Sequence, residues 1–235
     1  MSTMSQAEYP VGYDADFAET RSRLTTFFRY LMAIPLMIVG AFLAIALYFC
    51  VIVAWFAIVF TAHYPPGLYD FNAKVVRWLA RLTSYLHLAA DPYPPFDLDE
   101  HPEYPVRVPI GPPKESYSRL KTGFRMIIGI PVMLINYALG VVAYVAALIS
   151  WFFIVITGKQ NEGLHSAIKL GMAYSARSTA YLCLLTEDWP PFSAEGGSAL
   201  GPAPGAGTLP PSPTTPQAAP ERVDAPPADS PPSGA

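Results

Sequence analysis

The residues that could do chemistry are few, and most are arginines set in apolar sequence. Arg77 and Arg81 lie in the apolar stretch 68–90, and Arg177 lies in a second stretch of the same kind. A guanidinium in such surroundings can bind a lipid phosphate or pair with a carboxylate. Asn136 is the only strongly polar side chain inside a long apolar run. We take these four as candidates for lipid-headgroup or interhelix contacts, with simple headgroup snorkelling as the alternative for the arginines.

Motifs for enzymatic chemistry are absent from the sequence. It holds no Gly-rich phosphate loop and no HExxH, GxSxG or CxxC motif. The acidic segment 97–103 carries one histidine, too loose a set for a metal cage. Cys50 and Cys183 lie in apolar stretches, which is typical of small buried thiols. The sequence therefore predicts a protein that is not an enzyme, with no catalytic residue, cofactor or metal.

Two long apolar runs must position the candidate residues. No Asp, Glu, Lys or Arg occurs between Arg29 and Asp70, or between Arg125 and Lys159. Hydrophobic residues make up 52% of the 235 residues and charged residues only 14%. This combination is typical of an integral membrane protein. The net charge of −3 argues against a nucleic-acid partner, because phosphate binding needs a concentrated basic face.

The sequence repeats itself with a constant offset. From Ser22 onward, matching residues lie 96 positions apart. The matched pairs include Arg29 and Arg125, Trp55 and Trp151, Arg81 and Arg177, and Tyr85 and Tyr181. We therefore predict a tandem duplication, with a first repeat over 9–96, an acidic linker over 97–103 and a second repeat over 104–192. Residues 1–8 and the proline-rich tail 193–235 are expected to be disordered.

Four short motifs recur in each repeat. They are an Arg-x-x-x-x-x-Pro opening, a Trp-Phe pair, a Thr-Gly-x-x-x-x-Gly-Leu motif and a closing Tyr-Pro-Pro-Phe. Ala62 replaces the glycine of the third motif in the first repeat, and Trp189 replaces the tyrosine of the fourth motif in the second. With these motifs, each repeat resembles a bacterial membrane family catalogued as domain of unknown function 4389. The resemblance implies a membrane location and no known activity.

The long helices are predicted to start just after a proline. Pro35 and Pro131 each follow the last arginine by six residues, and proline removes a helical hydrogen bond. Spans over 36–60 and 132–157 would then be roughly 38 Å long, enough for a hydrocarbon core of about 30 Å.

Four residues are predicted to anchor these spans at the membrane interfaces. Arg29 and Arg125 are placed to reach out to one headgroup layer. Trp55 and Trp151 suit the aromatic belt at the other end.

The second helix of each repeat, over 68–90 and 164–185, is predicted to be amphipathic. In the first, a polar stripe includes Lys74, Arg77 and Arg81. Burying these cations in a membrane would cost roughly 2.5–3.5 kcal/mol each, which favours a helix lying in the interface. One span per repeat makes the two repeats inverted, whereas two spans per repeat would keep them parallel. The distribution of Lys and Arg is compatible with both.

The expected architecture is an all-α, multi-pass protein of the bacterial plasma membrane. Each repeat supplies one long transmembrane helix and one amphipathic helix. The expected role is a membrane scaffold or accessory subunit, with the lipid bilayer, including anionic lipids, and other membrane proteins as partners. One alternative is a small transporter or channel-like protein with a pathway between the repeats. Another is a lipid-headgroup-binding protein.

Overall fold

The computed structural model describes residues 9–192, so the predictions for residues 1–8 and 193–235 lie outside the described residues. The described part is mostly helical, and each repeat has a short helix, a long helix and a third helix. The elements are β1 (Asp14–Ala15), α1 (Arg23–Phe27), α2 (Arg29–Thr61), α3 (Pro66–Leu86), β2 (Val106–Arg107), α4 (Arg119–Gly123), α5 (Arg125–Thr157) and α6 (Glu162–Leu182). The predicted pair of a long and an amphipathic helix thus recurs in both repeats, preceded by a short helix that the sequence analysis did not predict.

Each long helix begins at an arginine and not after the proline. α2 starts at Arg29 and α5 at Arg125, so Pro35 and Pro131 lie inside the helices. The backbone hydrogen bond that Pro35 cannot donate would reach the carbonyl of Leu31, in the first turn of α2. Losing one bond so close to the N-terminus does not end the helix.

The long helices end where the chain enters the left-handed region. The φ angle is 62° at Ala62 and 77° at Gly158, the residues that follow α2 and α5. Glycine adopts this conformation at no steric cost, whereas alanine pays roughly 1–2 kcal/mol. The structure keeps the turn at Ala62 even though the first repeat has lost the glycine.

The long and third helices of each repeat form an antiparallel hairpin. In the first repeat, Leu36 near the start of α2 packs with Trp78 and Leu82 of α3. Ile58 near the end of α2 belongs to the same cluster as Tyr69 at the start of α3. The second hairpin is closer, because a Cβ placed on Gly171 of α6 would lie 2.5 Å from the Ala143 Cβ of α5.

A short antiparallel ribbon joins the two repeats. Asp14 pairs with Arg107 and Ala15 with Val106, and an isolated bridge joins Val11 to Ile110. This register places Tyr13 opposite Val108. In this stretch the repeat offset is 95, so these two facing residues are also equivalent in sequence. We call residues 11–16 and 105–110 the ribbon.

The two repeats are related by an approximate two-fold axis that passes through the ribbon. The third helices run antiparallel, since the Tyr64 hydroxyl before α3 donates to the Cys183 carbonyl after α6 (3.3 Å). At the other end, Gln160 before α6 donates to the Leu88 carbonyl after α3 (3.0 Å). The repeats are therefore inverted relative to each other.

The short helices are exchanged between the repeats. α1 packs on α5 of the second repeat, and α4 packs on α2 of the first. Two equivalent backbone hydrogen bonds fix the exchange, from Arg21 N to the Gly158 carbonyl (2.9 Å) and from Tyr117 N to the Ala62 carbonyl (2.8 Å).

The sides of α2 and α5 that face away from the rest of the described chain are uncovered and apolar. By length and composition both helices could cross a membrane. No Cα of α2 lies within 8 Å of a Cα of α5. We call these uncovered sides the outer faces; they include Leu31, Phe42, Ile45 and Phe60 of α2, and Met126, Tyr137, Val141 and Ile156 of α5.

Candidate functional site

The two arginines that open the long helices turn inward, to the ends of the third helices. Nη1 of Arg29 donates to the carbonyls of Tyr85 and Ala90, both at 2.7 Å, and the guanidinium stacks on the Tyr85 ring. Backbone carbonyls at a helix C-terminus have no partner within the helix, and a guanidinium can satisfy two of them at once. Arg29 is buried, in contrast to the expectation that it reaches out to a headgroup layer.

Arg125 repeats this arrangement in the second half. Its Nη2 donates to the Thr186 carbonyl at 2.6 Å, and its guanidinium lies 3.9 Å from the centre of the Tyr181 ring. It too is buried. The repeat-defining arginines therefore join the start of each long helix to the end of the third helix, and the sequence analysis mistook an internal contact for an outward one.

The first repeat adds a second buried arginine that the sequence analysis missed. Arg29 pairs with Asp91, and Arg21 approaches the same carboxylate at 4.0 Å. Burial lowers the pKa of Arg21 to about 10. Glu187 occupies the position equivalent to Asp91 and accepts from Ser118 N at 2.7 Å. Acidic residues at matched repeat positions were the signal that could have revealed these contacts.

The two tryptophans predicted for an aromatic belt bond across the repeats. Trp55 Nε1 donates to the Thr122 carbonyl in α4 (2.9 Å), and Trp151 Nε1 donates to the Thr26 carbonyl in α1 (3.1 Å). Both rings are half-buried. Each indole thus holds the exchanged short helix of the other repeat, which is a structural reason for a tryptophan at both positions.

Arg77 and Arg81 of α3 hold the segments that lie over this helix. Arg77 donates from Nε to the Val108 carbonyl of the ribbon (3.2 Å) and pairs with Glu100 at 2.8 Å. Arg81 donates to the Asp99 carbonyl (2.8 Å). Burial lowers the pKa of the Arg81 guanidinium. Both groups bind protein atoms on the ribbon side of α3.

Arg177 of α6 has the same role in the second repeat. It is fully buried, and its Nε and Nη1 donate to the carbonyls of Val11 and Pro191, both at 3.3 Å. Burial lowers the pKa of its guanidinium. The structure thus places Arg77, Arg81 and Arg177 along one surface, under the ribbon and the linker.

Asn136 does not join the arginines. It lies near the middle of α5, and its Oδ1 is buried without a hydrogen-bond partner among the described residues. Its equivalent in the first repeat is Gly40, where an added Cβ would lie 2.8 Å from Leu82 and 3.3 Å from Trp78. In α6 the residues equivalent to Leu82 and Trp78 are Ser178 and Tyr174. The positions of α6 that correspond to the contacts of Gly40 are therefore more polar than those of α3.

The acidic linker holds its histidine between two carboxylates. The His101 ring nitrogens lie 2.7 Å from Asp97 and 2.8 Å from Glu103, and these hydrogen bonds raise its pKa. Both ring nitrogens face carboxylate oxygens, an arrangement that favours the protonated ring. Next to it, an open cleft of about 400 Å³ is lined by Tyr93, Tyr104 and prolines.

The two outer faces form a long uncovered apolar surface in the described part of the chain. Ile45 and Val141 are equivalent residues near the middle of α2 and α5, exposed by 56% and 45%. The charged ribbon lies over α3 and α6, where Lys169 pairs with Asp14 at 2.6 Å. Apolar surface of this extent marks a membrane or protein interaction site in a folded protein.

Comparison with known proteins agrees with the duplication. No curated protein and no solved structure matches the chain. The family described as Domain of unknown function (DUF4389) matches residues 23–97 and again residues 119–194. The two matches fall one in each repeat and together cover more than half of the sequence. The chain therefore belongs to the DUF4389 family, whose domain it carries in two tandem copies.

Proposed function

We propose that this protein is a non-enzymatic scaffold or accessory subunit of a bacterial plasma membrane. Its ligand on this proposal is the bilayer itself, and other membrane proteins bind to the lipid-embedded molecule. The observation that supports it is the pair of outer faces. They are apolar over almost the whole length of two 33-residue helices, and no described part of the chain covers them.

The contacts of the arginines also favour a scaffold over a pathway between the repeats. Arg81 and Arg177, which such a pathway would need, are buried and bonded to backbone carbonyls. A rigid core of this kind, built from reciprocal contacts between the repeats, suits a protein that presents a fixed surface within the membrane.

Extraction from membranes tests the proposal. An Asp near the middle of a lipid-facing helix costs roughly 2.5–3.5 kcal/mol. We expect Ile45→Asp and Val141→Asp, alone and together, to lower the fraction of protein that resists alkaline carbonate extraction. Ser116→Asp, in an exposed loop, is the matched control and should leave retention unchanged.

Three results would contradict the proposal. One is wild-type protein in the soluble fraction, and another is equal retention of the Asp variants and the control. Circular dichroism of each variant in detergent shows whether its helices are intact. The third contradicting result is solute flux above that of empty liposomes after reconstitution, which would favour the transporter alternative.

A further inference from the structure

The position of the ribbon along the helices restricts how the molecule can sit in a bilayer. The Val108 carbonyl bonds to Arg77, near the middle of α3, and Asp14 pairs with Lys169, near the middle of α6. The ribbon therefore crosses the helices about halfway along their length. Its own charges are at the surface, since the side chains of Arg107, Asp14 and Asp16 are exposed by 40–55%.

An upright arrangement would place these charges in the centre of the membrane. Because α2 and α5 are antiparallel, the two-fold axis that relates them is perpendicular to both helices. If the helices crossed the bilayer, this axis would lie in the midplane, and the ribbon through which it passes would face lipid there. A single unpaired charge at this depth costs roughly 2.5–3.5 kcal/mol. Arg107, Asp14 and Asp16 are paired with one another but keep 40–55% of their side chains exposed, so lipid would still meet their charged groups.

The sides of α3 show that the apolar helices lie away from the ribbon. At 100° per residue, Arg77, Arg81 and Ser84 fall on one side of α3, and this side meets the ribbon and the linker. Trp78 and Leu82, which contact α2 near Gly40, lie about 100–140° around the helix axis from Arg77. The two-fold axis gives α5 the same relation to α6. The molecule thus has a charged side and an apolar side.

We propose that α2 and α5 lie along the plane of the bilayer within a single leaflet. The two-fold axis then follows the membrane normal, the apolar side meets the acyl chains, and the ribbon faces water. This inference rests on the proposed function, since it assumes that lipid covers the outer faces. It replaces the expected multi-pass arrangement with a monotopic one, in which both repeats, the linker and the ribbon lie on the same side of the membrane.

Two equivalent residues at the ends of the long helices give a decisive test. His63 follows α2 and Lys159 follows α5, 96 positions later, and both are exposed. In the flat arrangement the two residues lie on the same side of the membrane as Asp16 of the ribbon. In the upright arrangement, inversion of the repeats places them on opposite sides.

The experiment introduces single cysteines at these three positions in the full chain, with Cys50→Ala and Cys183→Ala as the background. Intact cells are treated with a membrane-impermeant maleimide, and a parallel sample is treated after permeabilisation. We expect one labelling pattern for all three positions. Opposite patterns for His63→Cys and Lys159→Cys would overturn the inference.

Depth measurement supplies a second readout. Spin labels at Leu31, Phe42 and Phe60, exposed along the whole of α2, report immersion through the ratio of oxygen to nickel-complex accessibility. The flat arrangement predicts similar depths at the three sites, whereas an upright helix would have Phe42 deepest and both ends shallow. Low oxygen accessibility at all three sites would show that a second copy, and not lipid, covers α2, and would also overturn the inference.

The two proposals fail in different ways. Both measurements are made on the membrane pellet, so a protein found in the soluble fraction contradicts the proposed function before orientation is examined. A protein that is retained by membranes but labelled from opposite sides leaves the scaffold proposal standing and removes only the flat arrangement.

Discussion

Buried carbonyl groups at the ends of α3 and α6 explain why each repeat needs its opening arginine. After α3 the chain turns through Leu88, in the left-handed region with φ of 62°, so that the Ala90 carbonyl points back towards Arg29. A buried carbonyl left without a partner costs roughly 1–3 kcal/mol. Arg125 does the same for Thr186, after the equivalent turn at Leu184. The guanidinium groups therefore stabilise the hairpins from inside.

Two histidines give the free energy of unfolding opposite dependences on pH. Burial lowers the pKa of His165, so the folded protein keeps this ring neutral. Below about pH 6.5 the unfolded chain binds a proton that the folded chain does not, and stability falls as the pH drops. Hydrogen bonds to Asp97 and Glu103 raise the pKa of His101. Its contribution is therefore complete below about pH 6.5 and is lost as the pH rises through its folded value.

We expect His165→Gln to reduce the loss of stability between about pH 7 and about pH 5. For His101→Gln, we expect the free energy of unfolding to lack the decrease that the wild type shows as the pH rises above about 6.5. Denaturant unfolding in detergent at a series of pH values measures both. A steeper fall in acid for His165→Gln than for the wild type would contradict a neutral His165 in the folded protein.

At the scale of helices, the two hairpins are built from equivalent helices but differ in how closely these helices approach each other. A Cβ on Gly171 would lie 2.5 Å from the Ala143 Cβ and 2.9 Å from the Leu139 carbonyl oxygen. The first repeat has Val75 and Leu47 at the positions of Gly171 and Ala143. Small residues on both α5 and α6 thus allow a close approach that the first hairpin lacks.

Gly171→Ala should lower the free energy of unfolding by about 1–3 kcal/mol, because the atoms it would meet include backbone that cannot move aside. Gly140→Ala, also in the second hairpin, is the matched control, since its Cβ would have no neighbour within 4 Å. Its effect should be neutral or a gain of up to about 1 kcal/mol from helix propensity. Equal losses in the two variants, measured by denaturant unfolding in detergent, would contradict this account.

The helices were predictable from sequence, and their partners were not. The absence of charge between Arg29 and Asp70 predicts a long apolar helix without knowledge of its surroundings. The ribbon pairs Asp14 with Arg107, 93 residues apart. Apolar residues alternate along both of its strands, but this alternation does not identify the partner strand at such a separation. The stripe containing Arg77 correctly predicts a polar side on α3. Such a stripe can lie against lipid headgroups or against backbone carbonyls of the same protein. The sequence could not show which of the two it contacts.

At the scale of the whole molecule, the reciprocal exchange of α1 and α4 makes the two repeats interdependent. Trp55 bonds to the second repeat and Trp151 to the first. The ribbon, the ends of α3 and α6 and the short helices all carry bonds between the repeats. The linker is therefore only one of several connections between the two halves.

We expect the halves to stay together when the linker is cut. A protease site inserted between Pro102 and Glu103, both exposed, would separate the chain after the first repeat. The two fragments should elute together in mild detergent and separate only in SDS. Adding Trp55→Phe and Trp151→Phe removes one hydrogen bond from each exchanged helix, roughly 0.5–1.5 kcal/mol apiece, and should weaken the association. Fragments that part in mild detergent without these substitutions would contradict the interdependence.

Because the short helices are exchanged, the first repeat cannot complete its packing until the second repeat has been synthesised. The carbonyl that Trp151 bonds belongs to Thr26, so α1 is synthesised 125 residues before the side chain that will hold it. Until α4 emerges, the part of α2 that it covers is open, and Trp55 has no acceptor because Thr122 does not yet exist. The nascent first half therefore stays incompletely packed until the second repeat has been synthesised.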